Sequence, residues 1–275
     1  MLKFSVITPS FNQGRYIEQA ITSVLAQDYP CFEHIIIDGG SNDQTLSILK
    51  RYGHLQWVSE EDRGQSDALN KGFRWATGDV IAWINSDDWY EPGAFAVVAD
   101  FFMRNCDEKV VMGDCNLVMA NGRVFDRIIN VTRGFDELLA FWRIPGIPTQ
   151  PAVFFKKELI DRHGLLDEAL FYAMDYDLWL RFARECSFCH INQTVANYRF
   201  HPEAKGGDQD WRKFIPEQKM VSERYGGRSV ELPSGYVNSL RPPFRFDQLG
   251  HKVKGVMYRF LPLLRGRKRH SPESG

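Results

Sequence analysis

Short apolar runs alternate with helical periodicity over the first 90 residues of the chain. Residues 4–8 form a β-rich run that stops at Pro9, and apolar positions then recur at helical spacing up to Leu25. The same order of strand and helix continues through further runs at residues 34–37, 55–58 and 80–84. Four strands alternating with three helices predict a mostly parallel, doubly wound sheet.

Polar residues follow three of the predicted strands. Residues 9–12 follow the first strand, Asp38 follows the second, and Asp87 and Asp88 follow the fourth. Because ligands of such sheets bind at the carboxyl ends of the strands, we expect these residues to open on one edge. The sequence has no GxGxxG turn after its first strand, which argues against a nicotinamide-dependent oxidoreductase.

The adjacent carboxylates of Asp87 and Asp88 have two interpretations. In a cleft they repel each other unless a cation, a shared proton or hydrogen-bond donors lie between them. A hard cation such as Mg2+ or Mn2+ fits, since Mg2+ usually takes one or two carboxylates and leaves positions for substrate phosphates. Alternatively, an Asp caps a helix beginning at Pro92, because proline suits the first helical turn. The residues alone leave both interpretations open.

The second half of the chain is less regular. Residues 110–119 and 123–131 are β-rich and are joined by Asn121 and Gly122, which is a strong hairpin signal. Farther on, a helical stripe places Asp175 at or near a helix start, where a carboxylate can cap backbone amides. Large aromatic side chains of this half are candidate platforms for stacking sugars, although such residues more often belong to a core. They are Trp142, Phe171 and Trp179.

The composition is that of an ordinary soluble globular protein, with 44% hydrophobic and 25% charged residues. A formal net charge of −1 gives no reason to expect nucleic acid or another polyanion as a partner. Five cysteines, an odd number, do not indicate a disulfide framework in a chain of 275 residues. The N-terminal apolar run is too short for a signal peptide, so we expect a cytoplasmic protein with reduced thiols.

Three stretches carry a specific resemblance, because they occur in a fixed order and spacing: VITPSFNQGRYIEQAITSVLAQDYP, IIIDGGSNDQT and GQSDALNKGFRWATGDVIAWINSDDWYEPGA. Together they resemble the family 2 glycosyltransferases of GT-A fold over at least residues 3–100. The resemblance implies a Rossmann-like, mostly parallel sheet flanked by helices. It also implies one GT-A domain at residues 1–225, with a nucleotide-sugar-binding half at 1–105 and a smaller, β-rich acceptor-side half at 106–225. Residues 226–275 would form a C-terminal extension.

A nucleotide-sugar site across the strand ends follows from this resemblance. Pro9 and Phe11 would line the base, and Asp38 would accept hydrogen bonds from uracil or ribose. Asp62 is a weaker candidate for the same pocket.

The resemblance also implies a metal site for Mn2+ or Mg2+. Asp87 and Asp88 match the family's DXD-type motif, with Asp87 also facing the nucleotide sugar. Many members have Asp where this chain has Asn85, so the motif rests here on the two aspartates alone. In related enzymes a His at the place of His201 completes the metal or diphosphate site, and a surface loop His is the alternative.

The family carries an acidic pair before an aromatic residue and Leu-Trp-x-Arg, and the Asp of this pair is the catalytic base. Here Met174 replaces the first acid and Asp175 matches the second. We therefore expect Asp175 to be the base, with Asp177 as the fallback candidate.

The predicted function is an inverting, metal-dependent hexosyltransferase. It would move a hexose from a UDP-sugar to a hydroxyl of a carbohydrate acceptor, in polysaccharide or glycoconjugate synthesis. One base and no placed nucleophile predict a single displacement with inversion. A catalytically silent nucleotide-sugar-binding protein is the first alternative, because Met174 and Asn85 depart from the family pattern. A nucleotidyltransferase is the second, although SFNQGR is poor in the glycine and basic residues of a triphosphate loop.

The C-terminal tail is basic. Residues 241–275 contain nine Lys or Arg against two acids. Their apolar positions fall at helical spacing, at Phe246, Leu249, Val253, Val256, Met257, Phe260 and Leu264. Such a helix either lies on an anionic membrane surface or packs on its own domain. Membrane contact would favour a lipid-linked acceptor and a location at the inner face of the membrane.

Overall fold

The computed structural model describes residues 1–142, 146–205 and 211–227. These residues form nine strands of one sheet. The strands are β1 (Phe4–Ser10), β2 (Phe32–Asp38), β3 (Leu55–Ser59), β4 (Val80–Trp83), β5 (Trp89–Tyr90), β6 (Val110–Met119), β7 (Val124–Ile128), β8 (Val153–Lys156) and β9 (Phe188–Phe200).

Eight α-helices lie in the same part of the chain. They are α1 (Ile17–Leu25), α2 (Thr45–Leu49), α3 (Gln65–Trp75), α4 (Ala94–Arg104), α5 (Phe135–Leu139), α6 (Glu158–His163), α7 (Met174–Ala183) and α8 (Ile215–Arg224).

The sheet has a parallel half and a mixed half. Its order is β3-β2-β1-β4-β8-β6-β9-β5, with β7 paired to β6. Strands β1 to β4 are parallel, as the alternating pattern predicts, whereas β8 runs antiparallel to β4. The predicted hairpin is confirmed, since β6 and β7 pair antiparallel around Asn121 and Gly122. The parallel half places the turns after β1, β2, β3 and β4 on one edge.

Close packing of α3 against β1 helps to bring the polar turns together. Every residue of β1 is buried, as an apolar run in a two-faced sheet requires. Gly72 of α3 lies directly against Ile7 of β1, where an added Cβ would be 2.4 Å from the Ile7 Cγ2. This close approach fixes the start of α3, with Gln65, beside the carboxyl ends of the strands.

The aromatic candidates for sugar stacking have different surroundings. Trp179 is fully buried and packs against Phe155, Phe182 and Phe188, so the core interpretation, and not the stacking platform, holds for this residue. Trp142 is half-buried and packs on the same core. Phe171 differs, because its residue surface is 55% exposed.

Two predictions fall largely outside the described residues. One is the basic C-terminal helix, and the other is a loop predicted at Lys205 and the two glycines that follow it, which could close over a diphosphate. In the part of the chain that the structure describes, no helix is both long and apolar enough to span a membrane.

Candidate active site

One cleft of about 820 Å³ opens at the carboxyl ends of the parallel strands. The turns after β1 to β4 line it, and so do the residues around the start of α7 and the segment after β9. A cleft of this size at this edge is the usual ligand site of an open α/β sheet. Five of the predicted site residues line it: Pro9, Phe11, Asp62, Asp87 and Asp175.

The turns after β1 and β2 form the wall where a nucleotide base is predicted. Pro9 and Phe11 line this wall, and Phe11 is 59% exposed. Asp38 is different, because it is fully buried at the end of β2. Its carboxylate accepts hydrogen bonds from the Ser41 amide at 2.8 Å, the Ser41 hydroxyl at 2.5 Å and the Ser59 hydroxyl at 2.7 Å. Asp38 therefore shapes the turn whose glycines line the cleft, and its contact with uracil or ribose stays a prediction.

Asp62 packs against the first of these glycines. A Cβ added at Gly39 would be 2.6 Å from the Asp62 Oδ2, so a larger residue there would require the Asp62 side chain to move. Asp62 accepts a hydrogen bond from the Gly64 amide at 2.8 Å, and burial raises the pKa of its carboxyl. Both residues line the cleft.

Asp87 and His201 meet at the cleft although they are far apart in sequence. The His201 Nε2 lies 2.8 Å from the Asp87 Oδ2. His201 is fully buried and its ring lies 4.4 Å from that of Tyr16, so the alternative of a surface loop His is wrong. The Nδ1 of His201 is buried without a hydrogen-bond partner among the described residues, and the Glu203 carboxylate is 3.9 Å away.

Asp88 faces the protein interior. Its residue surface is 1% exposed, and its carboxylate accepts a hydrogen bond from the Arg199 amide at 2.8 Å. Burial, together with the charge of Asp87, raises the pKa of the Asp88 carboxyl. Of the two aspartates that were expected to share a cation, Asp87 lines the cleft and Asp88 does not. The helix-cap alternative is also wrong, since α4 begins after Gly93 and no described side chain caps it.

Arg199 anchors the Asp87 turn from β9. Its guanidinium donates to the Asp87 carbonyl at 2.8 Å, to the Ala120 carbonyl at 3.1 Å and to the Gln19 side chain at 2.6 Å. It also lies over the rings of Tyr16 and Trp89, 5.0 and 4.5 Å from their centroids. The fork of one arginine therefore ties the turn to α1, to the β6–β7 hairpin and to two aromatic rings.

Three amide side chains line the cleft beside Asp87. The Asn85 Oδ1 accepts hydrogen bonds from Gln65 at 2.8 Å and from the Trp83 indole at 3.0 Å. The Asn85 amide nitrogen lies 3.1 Å from the Gln150 Oε1 and 3.4 Å from the Asp88 Oδ2. Gln150 in turn donates to the Trp83 carbonyl at 2.6 Å. Asn85 therefore uses both ends of its amide, and one of them faces the buried Asp88.

Asp175 is the second residue of α7 and lines the cleft. Its carboxylate accepts a hydrogen bond from the Tyr176 amide at 2.7 Å, so it also satisfies one backbone donor. Burial raises the pKa of Asp175 to about 6, and the nearby charge of Lys205 opposes this shift. The fallback, Asp177, is 2% exposed and is paired with Arg181 and Arg224, which makes its role structural.

Met174 lies where the resemblance places a further acid. It lines the cleft, and its sulfur accepts a hydrogen bond from the Ser66 hydroxyl at 2.8 Å. Ser66 is in the first turn of α3. The thioether thus joins the start of α7 to the start of α3 without adding a charge beside Asp175.

A divalent cation fits the residues at Asp87. A carboxylate and an imidazole with its second nitrogen unpaired are suitable ligands for a metal such as Mn2+. Within residues 1–142, 146–205 and 211–227, no group of three or more His, Cys, Asp or Glu side chains is placed to hold a metal. Among the described residues, Asp87 and His201 would hold such a cation, and phosphate and water oxygens are suitable further ligands.

Sequence reasoning missed Arg199, Gln65 and Gln150. Gln65 and Gln150 belong to no catalytic pattern, and Arg199 is one of 34 Lys or Arg residues. One signal was available for Arg199, since it lies two residues before His201 on a β-rich run and so points to the same face of the strand.

The family model described as Glycosyl transferase family 2 matches residues 5–161. The chain belongs to this family. An uncharacterized glycosyltransferase of Rickettsia typhi is 30% identical over 208 residues, which are 72% of this chain and 64% of that protein. An uncharacterized glycosyltransferase of Nostoc is 30% identical over 259 residues, covering 86% of this chain and 75% of the relative. The chain thus spans slightly less than two thirds of the length of the Rickettsia relative.

Solved structures of similar fold include two with a bound nucleotide or nucleotide sugar. The S. aureus TarS 1-349 structure in complex with UDP superposes with a TM-score of 0.61 at 20% identity, covering 87% of this chain and 69% of that one. The mannosyltransferase PcManGT from Pyrobaculum calidifontis, in complex with GDP-Man and Mn2+, has a TM-score of 0.60 at 22% identity and coverages of 87% and 68%. At these identities the likeness concerns the fold, and it confirms the predicted GT-A architecture.

Proposed function

We propose that this family 2 glycosyltransferase moves a hexose from a nucleotide sugar, UDP-linked as the resemblance implies, to a hydroxyl of a carbohydrate acceptor. One observation carries the proposal: a single cleft is lined by the Asp87 carboxylate beside His201 and by the Asp175 carboxylate. The first pair suits a metal–diphosphate group, and the second carboxylate suits proton removal. The UDP bound to the TarS structure and the GDP-Man and Mn2+ bound to PcManGT support a nucleotide-sugar donor and a divalent cation.

Each residue would have a distinct role at the donor. Pro9 and Phe11 would pack against the base, and Asp87 and His201 would hold Mn2+ or Mg2+. When bound, the cation supplies positive charge against the charge that builds on the departing diphosphate. His201 must then present an unprotonated Nε2, with the proton on the Nδ1 that faces Glu203. Arg199 would hold the Asp87 turn in place, because its guanidinium donates to the Asp87 carbonyl and its amide donates to the Asp88 carboxylate.

Asp175 would act on the acceptor. Its carboxylate would take the proton of the acceptor hydroxyl while the oxygen bonds to the anomeric carbon and the nucleoside diphosphate leaves. A base with a pKa of about 6 is ionised at neutral pH and takes up a proton more readily than an ordinary aspartate. This single displacement inverts the anomeric configuration, and comparing the anomer of donor and product by NMR tests the inversion.

The activity test uses the full chain with Mn2+, candidate acceptors and each of UDP-Glc, UDP-Gal, UDP-GlcNAc and GDP-Man. Release of UDP is the expected result; release of GDP from GDP-Man alone would revise the donor class. EDTA and Asp175→Asn should each abolish release, and Asp100→Asn, an exposed residue of α4, is the matched control. Full activity in EDTA would remove the metal from the mechanism. Nucleotide-sugar binding by calorimetry without release would favour the catalytically silent alternative.

A further inference from the structure

Three consecutive backbone amides before α7 converge on one carboxylate of α8. The Glu217 Oε2 accepts hydrogen bonds from the amides of Tyr172 at 2.6 Å and Ala173 at 2.9 Å. The Phe171 amide lies 3.1 Å from both carboxylate oxygens. We refer to residues 171–173 as the α7 entry turn.

This contact satisfies three backbone amides that lie just before α7. The helix begins at Met174, and its N-cap residue, Ala173, has no side chain that could accept a hydrogen bond. Phe, Tyr and Ala carry no carboxylate or amide oxygen that could accept these amides locally. The amides that precede and open a helix also attract negative charge. A carboxylate supplied from another helix therefore satisfies donors that would otherwise depend on water.

Helix α8 is itself fixed on the first turn of α7. The buried Asp177 carboxylate accepts hydrogen bonds from Arg224 at 3.0 Å and from the Tyr225 hydroxyl at 2.9 Å. Ser222 donates to the Leu139 carbonyl at 2.8 Å. These contacts at the end of α8 leave Glu217, near its start, in a set position over the entry turn.

The entry turn carries the side chains that surround Asp175 in the cleft. Phe171 and Tyr172 line the cleft, and Phe214, just before α8, packs on Tyr172 with ring centroids 4.5 Å apart. On its other side the turn is held by Lys205, whose ammonium donates to the Phe171 carbonyl at 2.8 Å. Glu217 thus holds the amides of a turn whose carbonyl is held by Lys205.

We propose that Glu217 is a positioning residue that clamps the α7 entry turn and thereby fixes Asp175 and the aromatic wall of Phe171, Tyr172 and Phe214 around the acceptor hydroxyl. Glu217 acts through this turn and does not touch the reacting atoms. The catalytic part rests on the proposed function, whereas the clamp itself does not. Residue 217 lies beyond the segment that the family model matches, residues 5–161, so the inference comes from this chain's own contacts.

The test compares Glu217→Ala, Glu217→Gln and a control, Glu223→Gln. Glu223 lies on the same helix, and its carboxylate is 3.9 Å from Lys219. Amide hydrogen exchange of the ligand-free full chain should show faster exchange at residues 171–173, by about tenfold or more in the Ala variant and less in the Gln variant, which keeps one acceptor oxygen. The control should exchange like the wild type.

Kinetics then separate positioning from general support of the fold. With the nucleotide sugar that the wild type turns over, kcat should fall by about ten- to hundred-fold in Glu217→Ala, with the donor KM unchanged. Glu217→Gln should recover part of kcat. The acidic limb of the pH–rate profile should move to lower pH in Glu217→Ala, because a loosened turn exposes Asp175 to water.

The outcomes are separable. Unchanged exchange at residues 171–173 in Glu217→Ala overturns the clamp whatever the activity. Faster exchange with unchanged kcat overturns the positioning role. If the Ala variant does not fold, the near-isosteric Gln variant decides both. Absence of any turnover by the wild type overturns the proposed function and with it the positioning role, while the exchange data still decide the clamp.

Discussion

His201 Nε2 lies 2.8 Å from the Asp87 Oδ2, across a sequence separation of 114 residues. The end of β9 supplies the histidine, and the turn after β4 supplies the aspartate. Since a carboxylate can only accept, the imidazole donates its Nε2 proton in this pair. The pair therefore joins the two halves of the sheet at the cleft, and a cation held by both residues would require an Nε2 without its proton.

Removing either member of the pair should abolish the response to metal. We expect Mn2+ with UDP to raise the melting temperature of the wild type, because a ligand at about 100 times its Kd adds about 2.7 kcal/mol of stability. Asp87→Asn and His201→Gln should lose most of this increase. His163→Gln removes a comparable contact, His163 Nε2 to Glu185 at 2.7 Å on α6, and should keep the full increase. An increase that survives in His201→Gln would remove this residue from the metal site.

The rate of donor turnover should follow the ionisation of Asp175. The carboxyl must be deprotonated to accept a proton, and its pKa is raised to about 6 by burial. We expect kcat/KM to rise with pH through about 6 and to level off above about 7. Lys205→Met should move this limb to higher pH, since the ammonium lowers the Asp175 pKa. A profile that is flat from pH 5 to 8, about one pH unit or more on each side of that value, would contradict the assignment.

The ionised Asp175 carboxylate should destabilise the folded protein above pH 6, because burial raises its pKa to about 6. The folded protein holds the Asp175 proton more tightly than the unfolded chain, whose ordinary pKa is 3.8. The resulting stabilisation is complete below 3.8 and is lost as the pH rises through about 6. Asp175→Asn should therefore be more stable than the wild type by about 1–3 kcal/mol at pH 8, with a smaller difference at pH 4. Urea unfolding at both pH values measures this difference in the free energy of unfolding. Equal free energies for Asp175→Asn and the wild type at pH 8 would show that the ionised carboxylate does not destabilise the fold.

Asn85→Asp restores the residue that many family members carry, yet it should be unfavourable here. The substitution removes the amide that faces the Asp88 Oδ2 and the Gln150 Oε1. Gln150 cannot simply flip its amide, because its nitrogen donates to the Trp83 carbonyl. We expect a loss of about 1–3 kcal/mol of unfolding free energy. Asn85→Asp combined with Asp88→Asn should recover part of it, and a double variant no better than the single one would argue against the contact.

Arg199→Lys should lower the stability of the protein strongly, although the substitution retains the positive charge. A lysine cannot donate to Asp87, Ala120 and Gln19 at once or stack flat on Tyr16 and Trp89. We expect a loss of about 2–4 kcal/mol in stability and a weaker Mn2+ response, since the Asp87 turn loses its anchor. Arg104→Lys, at an exposed arginine of α4, is the control. Thermal unfolding with and without Mn2+ separates the two effects.

The sequence predicts the parallel half of the fold because its signals are local. Each of β1 to β4 is a short apolar run followed by a polar turn, and the motif around Asp87 and the acid at Asp175 follow from their neighbours. The amide contacts of Glu217 and the anchor formed by Arg199 are different. The partners of Glu217 lie 44 to 46 residues away, and those of the Arg199 guanidinium lie 79 to 180 residues away. Neither residue belongs to a sequence pattern that indicates its role. The long-range polar contacts of this site therefore cannot be predicted from local sequence patterns and are seen only in the three-dimensional structure.

Asp38 illustrates the same limit from the opposite side. Its position at the end of β2 predicts a cleft residue, and the structure instead surrounds it with Ser41 and Ser59. Whether a carboxylate at a strand end points outward or folds back depends on donors in adjacent turns, which strand periodicity does not encode.

Because Gly39 contacts Asp62, the residue at one of these two positions limits which side chains fit at the other. Because a Cβ at position 39 would collide with the Asp62 Oδ2, a larger residue there can be accepted only together with a shorter or retracted side chain at position 62. Among relatives, the identities at these two sites should covary. A larger residue at position 39 alone would displace the Asp62 carboxylate, which lines the cleft.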